Sequence, residues 1–164
     1  MPYAPIIGTL AYVLDRRRDR VLMVHRNARP DDEQFGKYNG LGGKLEADED
    51  VVTCIRREVR EEAGIELASL VLRGTVSWPG FGPNGEDWFG FVFLADEWVG
   101  EPLRENVEGT LDWVPLDQVL AFELPMWEGD VRFLPLVFDD DPRPFHGVMP
   151  YSAGRPVGWS VVRL

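Results

Sequence analysis

The sequence predicts an α+β domain in which a mixed β-sheet is flanked by helices. Three observations lead there. Strand-like apolar segments recur along the chain, separated by clusters of Gly, Pro and charged residues. Only a few segments carry helical spacing, and they are interspersed among the strands. The length, 164 residues, fits one domain over positions 1–164 and suffices for a hydrophobic core.

Taken in order, Ile6 to Leu14 alternates loosely and reads as a strand. Asp15-Arg16-Arg17-Arg18-Asp19-Arg20 turns the chain into a second strand, Val21 to His25. The arginine run resembles a phosphate patch, but flanking aspartates dilute it, and a solvated hairpin tip is the favoured reading. Asn27 to Tyr38 is a polar loop containing Pro30, and Asn39-Gly40-Leu41-Gly42-Gly43-Lys44 is a glycine-rich strand or turn. Helix follows from about Asp50 to Ala63. Asp48, Glu49 and Asp50 put negative charge at its start, favourable against the dipole, and Gly64 suits the C′ stop. Val71 to Ser77 and Trp88 to Ala95 are strands joined by a loop rich in Gly and Pro. Another strand lies near Leu111 to Val114. Pro115 opens a short helix through Val119, since proline suits the first helical position. A helix from Asp130 to Val137 precedes a break at Asp139 to Pro142. Phe145 to Met149 and Gly158 to Val162 close the chain as two strands.

A hydrophobic fraction of 45% and a charged fraction of 27% are ordinary for a soluble globular protein. No apolar run approaches the roughly 20 residues that span a bilayer, so a membrane is not an expected partner. The first residues lack a basic stretch followed by an apolar one and do not read as a signal peptide. Cys54 is the single cysteine, which excludes an internal disulfide and makes a cytoplasmic location the default. A net charge of −11 argues against binding a nucleic-acid polymer through its backbone, which needs clustered Lys and Arg.

The segment that carries chemistry runs from Gly43 to Ile65. At about 100° per residue, with Glu58 at zero, Glu61 falls at about 300° and Glu62 at about 40°. Three carboxylates therefore share one arc. Val51, Val52, Ile55, Val59 and Ala63 fall between about 20° and 140°, so the apolar face docks on the core and the glutamates line its edge. A glutamate-rich solvated face is the plain alternative. Against it, like charges at i, i+4 destabilise a helix by a few tenths of a kcal/mol, and a structural helix gains nothing by gathering them beside its apolar edge, whereas a cation site does. Arg57, four residues before Glu61, is placed to orient it.

This segment resembles the Nudix box, G-x5-E-x7-R-E-U-x-E-E-x-G-U with U aliphatic, and Gly43, Glu49, Arg57, Glu58, Val59, Glu61, Glu62, Gly64 and Ile65 meet every specified position. Chance agreement at the seven invariant sites is on the order of one in 10⁸ per start position. Two rival glycine patterns fail. A P-loop needs Gly at Tyr38 and Ser or Thr at Leu45, and a dinucleotide fingerprint needs Gly at Leu45. The resemblance implies a Nudix fold, a mixed sheet sandwiched between helices, that hydrolyses a nucleoside diphosphate linked to a further group. It maps Glu58, Glu61 and Glu62 onto carboxylates that ligate Mg²⁺ or Mn²⁺, Gly43 onto a backbone carbonyl ligand, and Glu49 onto a supporting carboxylate. Such cations resolve the conflict between an acidic protein and a polyphosphate substrate.

Beyond the box, Asn39-Gly40-Leu41-Gly42-Gly43-Lys44, Met126-Trp127 with Asp130, Phe133-Leu134-Pro135-Leu136 and Phe145-His146-Gly147 look like the oxidised-purine nucleoside triphosphatases. That likeness places Thr9, Arg26, Asn39, Gly42, Lys44, Trp127 and Asp130 on nucleotide-contacting positions. It places Glu108 on a loop glutamate that ligates metal or acts as base. One departure matters: relatives carry two adjacent acids after the tryptophan loop, whereas here the run is Trp127-Glu128-Gly129-Asp130, so one base-reading carboxylate is missing or displaced.

Taken alone, Asn39 is a turn former as readily as a purine reader, Trp127 a core aromatic, and Glu108 an ordinary loop acid. Cys54 reads as a packing residue, and neither His25 nor His146 is assigned to catalysis. Trp78, Trp88, Trp98, Trp113 and Trp159 read as core or rim aromatics. The expected activity is cleavage of a (deoxy)nucleoside triphosphate such as 8-oxo-dGTP to the monophosphate and pyrophosphate, with Glu61 or Glu108 as base. The rivals are a broader nucleotide or dinucleoside polyphosphate hydrolase and a sensing module that has lost turnover, and the intact box speaks against the latter. Monomer and homodimer are both open.

Overall fold

The computed structural model describes residues 1–164, and β1 (Ile6–Asp15) is the element on which the rest assembles. β2 (Arg20–His25), β3 (Tyr38–Asn39) and β4 (Leu41–Lys44) follow, then α1 (Val51–Ala63) and β5 (Glu66–Leu67). Next come β6 (Val71–Trp78), β7 (Trp88–Ala95), β8 (Trp98–Val99), β9 (Thr110–Pro115), α2 (Leu116–Leu120) and α3 (Asp130–Phe138). The chain closes with β10 (Phe145–Val148), β11 (Tyr151–Ser152), β12 (Arg155–Pro156) and β13 (Ser160–Arg163).

The main sheet runs β13-β10-β6-β7-β1-β2-β3, with β4 on β1 and β9 on β2. β1 pairs with β7 and β6 with β10 in parallel, while the other ladders are antiparallel, so the sheet is mixed. One edge of β1 is shared: Gly8 to Ala11 pair with β4, and Val13 to Asp15 pair with β2. The sheet splays where β1 passes from one partner to the other, and β3 and β4 open the cleft described below.

Alternation along the strands builds two cores. Ala11 and Val13 of β1 with Leu22 and Val24 of β2 pack under Ile55, Val59 and Ala63 of α1. Tyr12 and Leu14 with Val21 and Met23 face the other side, under Phe133, Leu134 and Val137 of α3. This is the expected sheet between helices, with period two on each strand. α3 is tied at its C-terminal end by the buried Arg73 of β6. Its guanidinium donates to the carbonyls of Val137 and Asp141 at 2.9 Å and to Asp139 Oδ1 at 3.0 Å. The N-terminus of α3, and with it Asp130, is thereby held over the sheet. No helix is long and apolar enough to cross a membrane.

Several expectations need correction. Val52, assigned to the apolar arc of α1, is 42% exposed, because it lies in the first turn beyond the sheet edge. Cys54 takes its place in the buried set. Pro115 ends β9 in extended geometry, and α2 starts one residue later. Gly158 and Trp159 lie outside the last strand, which begins at Ser160, because the β11–β12 hairpin intervenes. The short β5–β8 pair was also not foreseen.

Candidate active site

The box segment folds as a strand, a turn and a helix. Asp50 caps α1, its carboxylate accepting from Val52 N at 2.9 Å and Thr53 N at 2.8 Å, and Gly64 closes it in the left-handed region at φ 70°. Arg57 gathers the surrounding carboxylates. Its Nη2 donates to Glu49 Oε1 at 2.6 Å and its Nε to Glu49 Oε2 at 3.0 Å. Nη1 reaches Glu58 Oε1 at 2.9 Å and Glu61 Oε2 at 3.3 Å. This bidentate grip holds the almost buried Glu49 carboxyl down to about 2. Glu49 and Arg57 thus strap the loop after β4 to the helix.

Glu58 lies directly over Gly43. A Cβ at Gly43 would sit 2.4 Å from the Glu58 carboxyl carbon, so a side chain there would displace the Glu58 carboxyl from its place over the strand. One turn on, the Glu62 carboxyl is pushed up to about 8, first by burial and second by Glu58. Two carboxyls that repel each other beside the Gly43 carbonyl, which accepts from the Thr9 hydroxyl at 3.3 Å, are a donor set suited in kind to a hard divalent cation, which would let both ionise. The residues fit such an ion in kind. They do not form a finished cage: no three acidic, His or Cys side chains converge to ligating distance. Glu61 is 59% exposed at its side chain and stands away from the others.

Next to this rim a cleft of about 330 Å³ opens between β1, β3, β4 and α3. Its wall brings together Thr9, Arg26, Asn39, Gly42, Gly43 and Glu62. Glu108, Trp127 and Asp130 complete the expected set found there. Glu49, Arg57, Glu58, Glu61 and Lys44 lie outside the wall, and Lys44 instead carries its Nζ 5.5 Å above the Trp88 ring. The volume suits a small molecule with a planar ring. Trp127 meets Phe81 edge-on at 5.2 Å between ring centres, and Lys37 Nζ sits over one face of the indole, 4.6 Å from its centre.

Asp130 projects into this apolar surround, and burial pushes its carboxyl up to about 7. The neighbouring acid has gone elsewhere. Glu128 is exposed and bonds Arg155 of β12 at 3.0 and 3.1 Å. Gly129 is packed so closely that a Cβ there would lie 2.3 Å from Met149 Sδ and 2.7 Å from the Tyr151 hydroxyl. A second acid cannot be restored at position 129 without moving that wall.

Glu108, expected as a metal ligand or base, is held by two arginines. Its Oε2 accepts from Arg29 Nη2 at 2.5 Å and from Arg26 Nη2 at 2.8 Å, while Arg26 Nε also binds Asp32 at 2.8 Å. Sequence reasoning missed Arg29, Gln34 and Phe81, which lie in polar or glycine-rich loops without periodicity. It also left Trp78 and Trp88 as plain aromatics, although both line the cleft. The indole Nε1 of Trp88 is the one buried side-chain polar atom without a partner.

Residues 5–137 match the NUDIX domain family. A protein from Danio rerio named an oxidized purine nucleoside triphosphate hydrolase is 32% identical over 102 residues, 62% of this chain and 63% of that protein. The NAD-capped RNA hydrolase NudC from Pseudomonas aeruginosa is 41% identical over 113 residues, 69% of this chain and 38% of that protein. The matches therefore span less than two thirds of these relatives. Among solved structures, a MutT protein from Bacillus halodurans is similar with a TM-score of 0.80 and 30% identity, covering 95% of this chain and 97% of that one.

Proposed function

The chain belongs to the Nudix family of phosphoanhydride hydrolases, and on that premise we propose that it cleaves a (deoxy)nucleoside triphosphate, oxidised purine forms such as 8-oxo-dGTP included, to the monophosphate and pyrophosphate. The observation that carries this reading is the single cleft whose wall holds both Trp127, Asn39 and Asp130, suited to a base, and Gly43 and Glu62, suited to the phosphate end. Glu58, Glu61, Glu62 and the Gly43 carbonyl would hold Mg²⁺ or Mn²⁺. When bound, the ion supplies charge neutralisation at the phosphate oxygens and acidifies water for in-line attack.

The chain's own groups do the rest. Arg57 binds Glu58, which lies over the strand, and holds Glu61 by one longer contact, and Glu49 keeps Arg57 in place. Of the two candidate bases, Glu108 must first leave Arg26 and Arg29, whereas Glu61 has one 3.3 Å contact to break. Glu61 is therefore the readier proton acceptor. Once Glu108 moves, Arg29 and the Nη2 of Arg26 can meet the phosphates, while Asp32 still holds the Arg26 Nε. At the base, Trp127 supplies a stacking face. Asp130, its carboxyl pushed up to about 7 by burial, donates when protonated and accepts when ionised, which allows an oxidised or tautomerised purine edge to be read.

A second reading, a broader nucleotide or dinucleoside polyphosphate hydrolase, draws support from the position of Glu128. With that acid on Arg155, one carboxylate reads the base instead of two, and discrimination weakens by roughly 10- to 150-fold. Measuring kcat/KM for 8-oxo-dGTP, dGTP, dATP, dCTP and a diadenosine polyphosphate separates the two. Turnover of 8-oxo-dGTP with modest preference over dGTP is the expected result. A preference for a pyrimidine nucleotide or a diadenosine polyphosphate over both guanine nucleotides overturns the triphosphate reading.

A further inference from the structure

Gln34 lies in a turn between β2 and β3, yet its side chain joins two walls of the cleft. Its Oε1 accepts from Asn39 Nδ2 at 2.7 Å and from the Trp127 indole Nε1 at 3.4 Å. All three residues line the cleft. The chemistry of these groups removes the usual ambiguity between amide oxygen and nitrogen. An indole N–H only donates, so the Gln34 atom that meets Trp127 is oxygen. That same oxygen faces Asn39, so the Asn39 atom 2.7 Å away is its amide nitrogen. The other branch of the Asn39 amide, Oδ1, accepts no hydrogen bond within the protein. It is not sealed off either, since Trp88 Nε1 is the one buried side-chain polar atom lacking a partner. Asn39 therefore offers the cleft an open acceptor whose orientation is set by Gln34.

We infer that Gln34 is a specificity-determining residue, locking the Asn39 amide with its oxygen toward the ligand so that the cleft selects a base presenting an N–H there, as guanine-type rings do at N1 and adenine does not. Gln34 touches no reacting atom and acts through Asn39, while its second contact steadies the plane of Trp127. The inference rests on the cleft being the nucleotide site proposed above.

The test uses GMP and AMP, monophosphates that bind without turnover, with Kd measured by calorimetry for the full chain. Gln34→Met keeps the length of the side chain and removes the acceptor. Gln34→Glu keeps an oxygen that accepts from both Asn39 and Trp127. Wild type should bind GMP more tightly than AMP. Gln34→Met should shrink the AMP-to-GMP ratio of Kd about fivefold, the effect of one net hydrogen bond, and Gln34→Glu should keep the ratio within about twofold of wild type. Since Gln34 is half-buried in a turn, both variants should melt close to wild type, and their thermal unfolding checks this. An unchanged ratio in Gln34→Met, an equal loss in Gln34→Glu, or a wild type that prefers AMP overturns the inference. If wild type binds neither monophosphate and hydrolyses no nucleoside triphosphate, the functional reading falls and this inference with it. Binding with an unmoved ratio sinks the role of Gln34 alone.

Discussion

Replacing Glu62 by Gln should make the metal-free protein more stable and the enzyme nearly inactive. The Glu62 carboxyl stands at about 8 in the fold, raised by burial and then by Glu58, against an ordinary 4.5. Below about pH 4.5 the group is protonated both folded and unfolded, and it costs the fold nothing. As pH rises the unfolded chain gives up its proton first, and stability is lost by about 1.4 kcal/mol per unit until the folded group titrates near 8. At pH 7.5 that ceiling is about 4 kcal/mol. Sharing of the strain with Glu58 and the opening of the cleft to water bring a working figure of about 2 kcal/mol. The amide of Gln keeps the shape without the charge. In chelator, Glu62→Gln should therefore melt about 4–8 °C above wild type at pH 7.5, and the gap should close to about 1 °C by pH 5. Added Mg²⁺ should stabilise wild type by mass action and the variant less. Turnover should fall roughly 10²-fold or more. A variant no more stable than wild type at pH 7.5 in chelator, or one keeping over half of wild-type kcat at saturating Mg²⁺, refutes the reasoning.

Gly43→Ala puts a methyl group 2.4 Å from the Glu58 carboxyl carbon; it should cost about 1–3 kcal/mol in denaturant titration and lower kcat at least tenfold, and a variant active at wild-type level would show that the close approach is dispensable. For Asp130, kcat/KM toward 8-oxo-dGTP should fall as pH rises through about 7, where its carboxyl loses the donor proton. Asp130→Asn should flatten that inflection, and an unchanged inflection would assign it to another group. Glu108→Gln frees Arg26 and Arg29 from their shared carboxylate, so it should change KM more than the Mg²⁺ requirement; a rise in that requirement would mark Glu108 as a ligand, and a fall in kcat alone would mark it as the base.

What was legible in the sequence is what local chemistry determines. The cap at Asp50, the stop at Gly64 and the 3.6-residue spacing of Ile55, Val59 and Ala63 act within one helix, and α1 ends where they say. The alternation in Ile6 to Leu14 likewise sorts Tyr12 and Ala11 onto opposite faces of the sheet. The same wheel placed three glutamates on one arc, of which Glu58 stands over Gly43 and Glu62 lines the cleft, while Glu61 is 59% exposed and apart. What was not legible depends on residues far apart in sequence. Glu128 turns from the cleft because Arg155, 27 positions later, sits on an unforeseen hairpin. Glu108 is paired because the loop after β2 delivers Arg29 from 79 positions earlier. Gln34 matters through Trp127, 93 positions away. A polar residue in an aperiodic loop carries no signal of its partner until the fold brings both to one cleft.

The most direct test of phosphoanhydride hydrolysis by this cleft is to identify the products of dGTP with Mg²⁺ by phosphorus NMR. Release of pyrophosphate with dGMP, dependent on the cation and lost in Glu58→Gln, is the predicted outcome. Orthophosphate with dGDP, or no cation-dependent turnover of any nucleoside triphosphate, would contradict it.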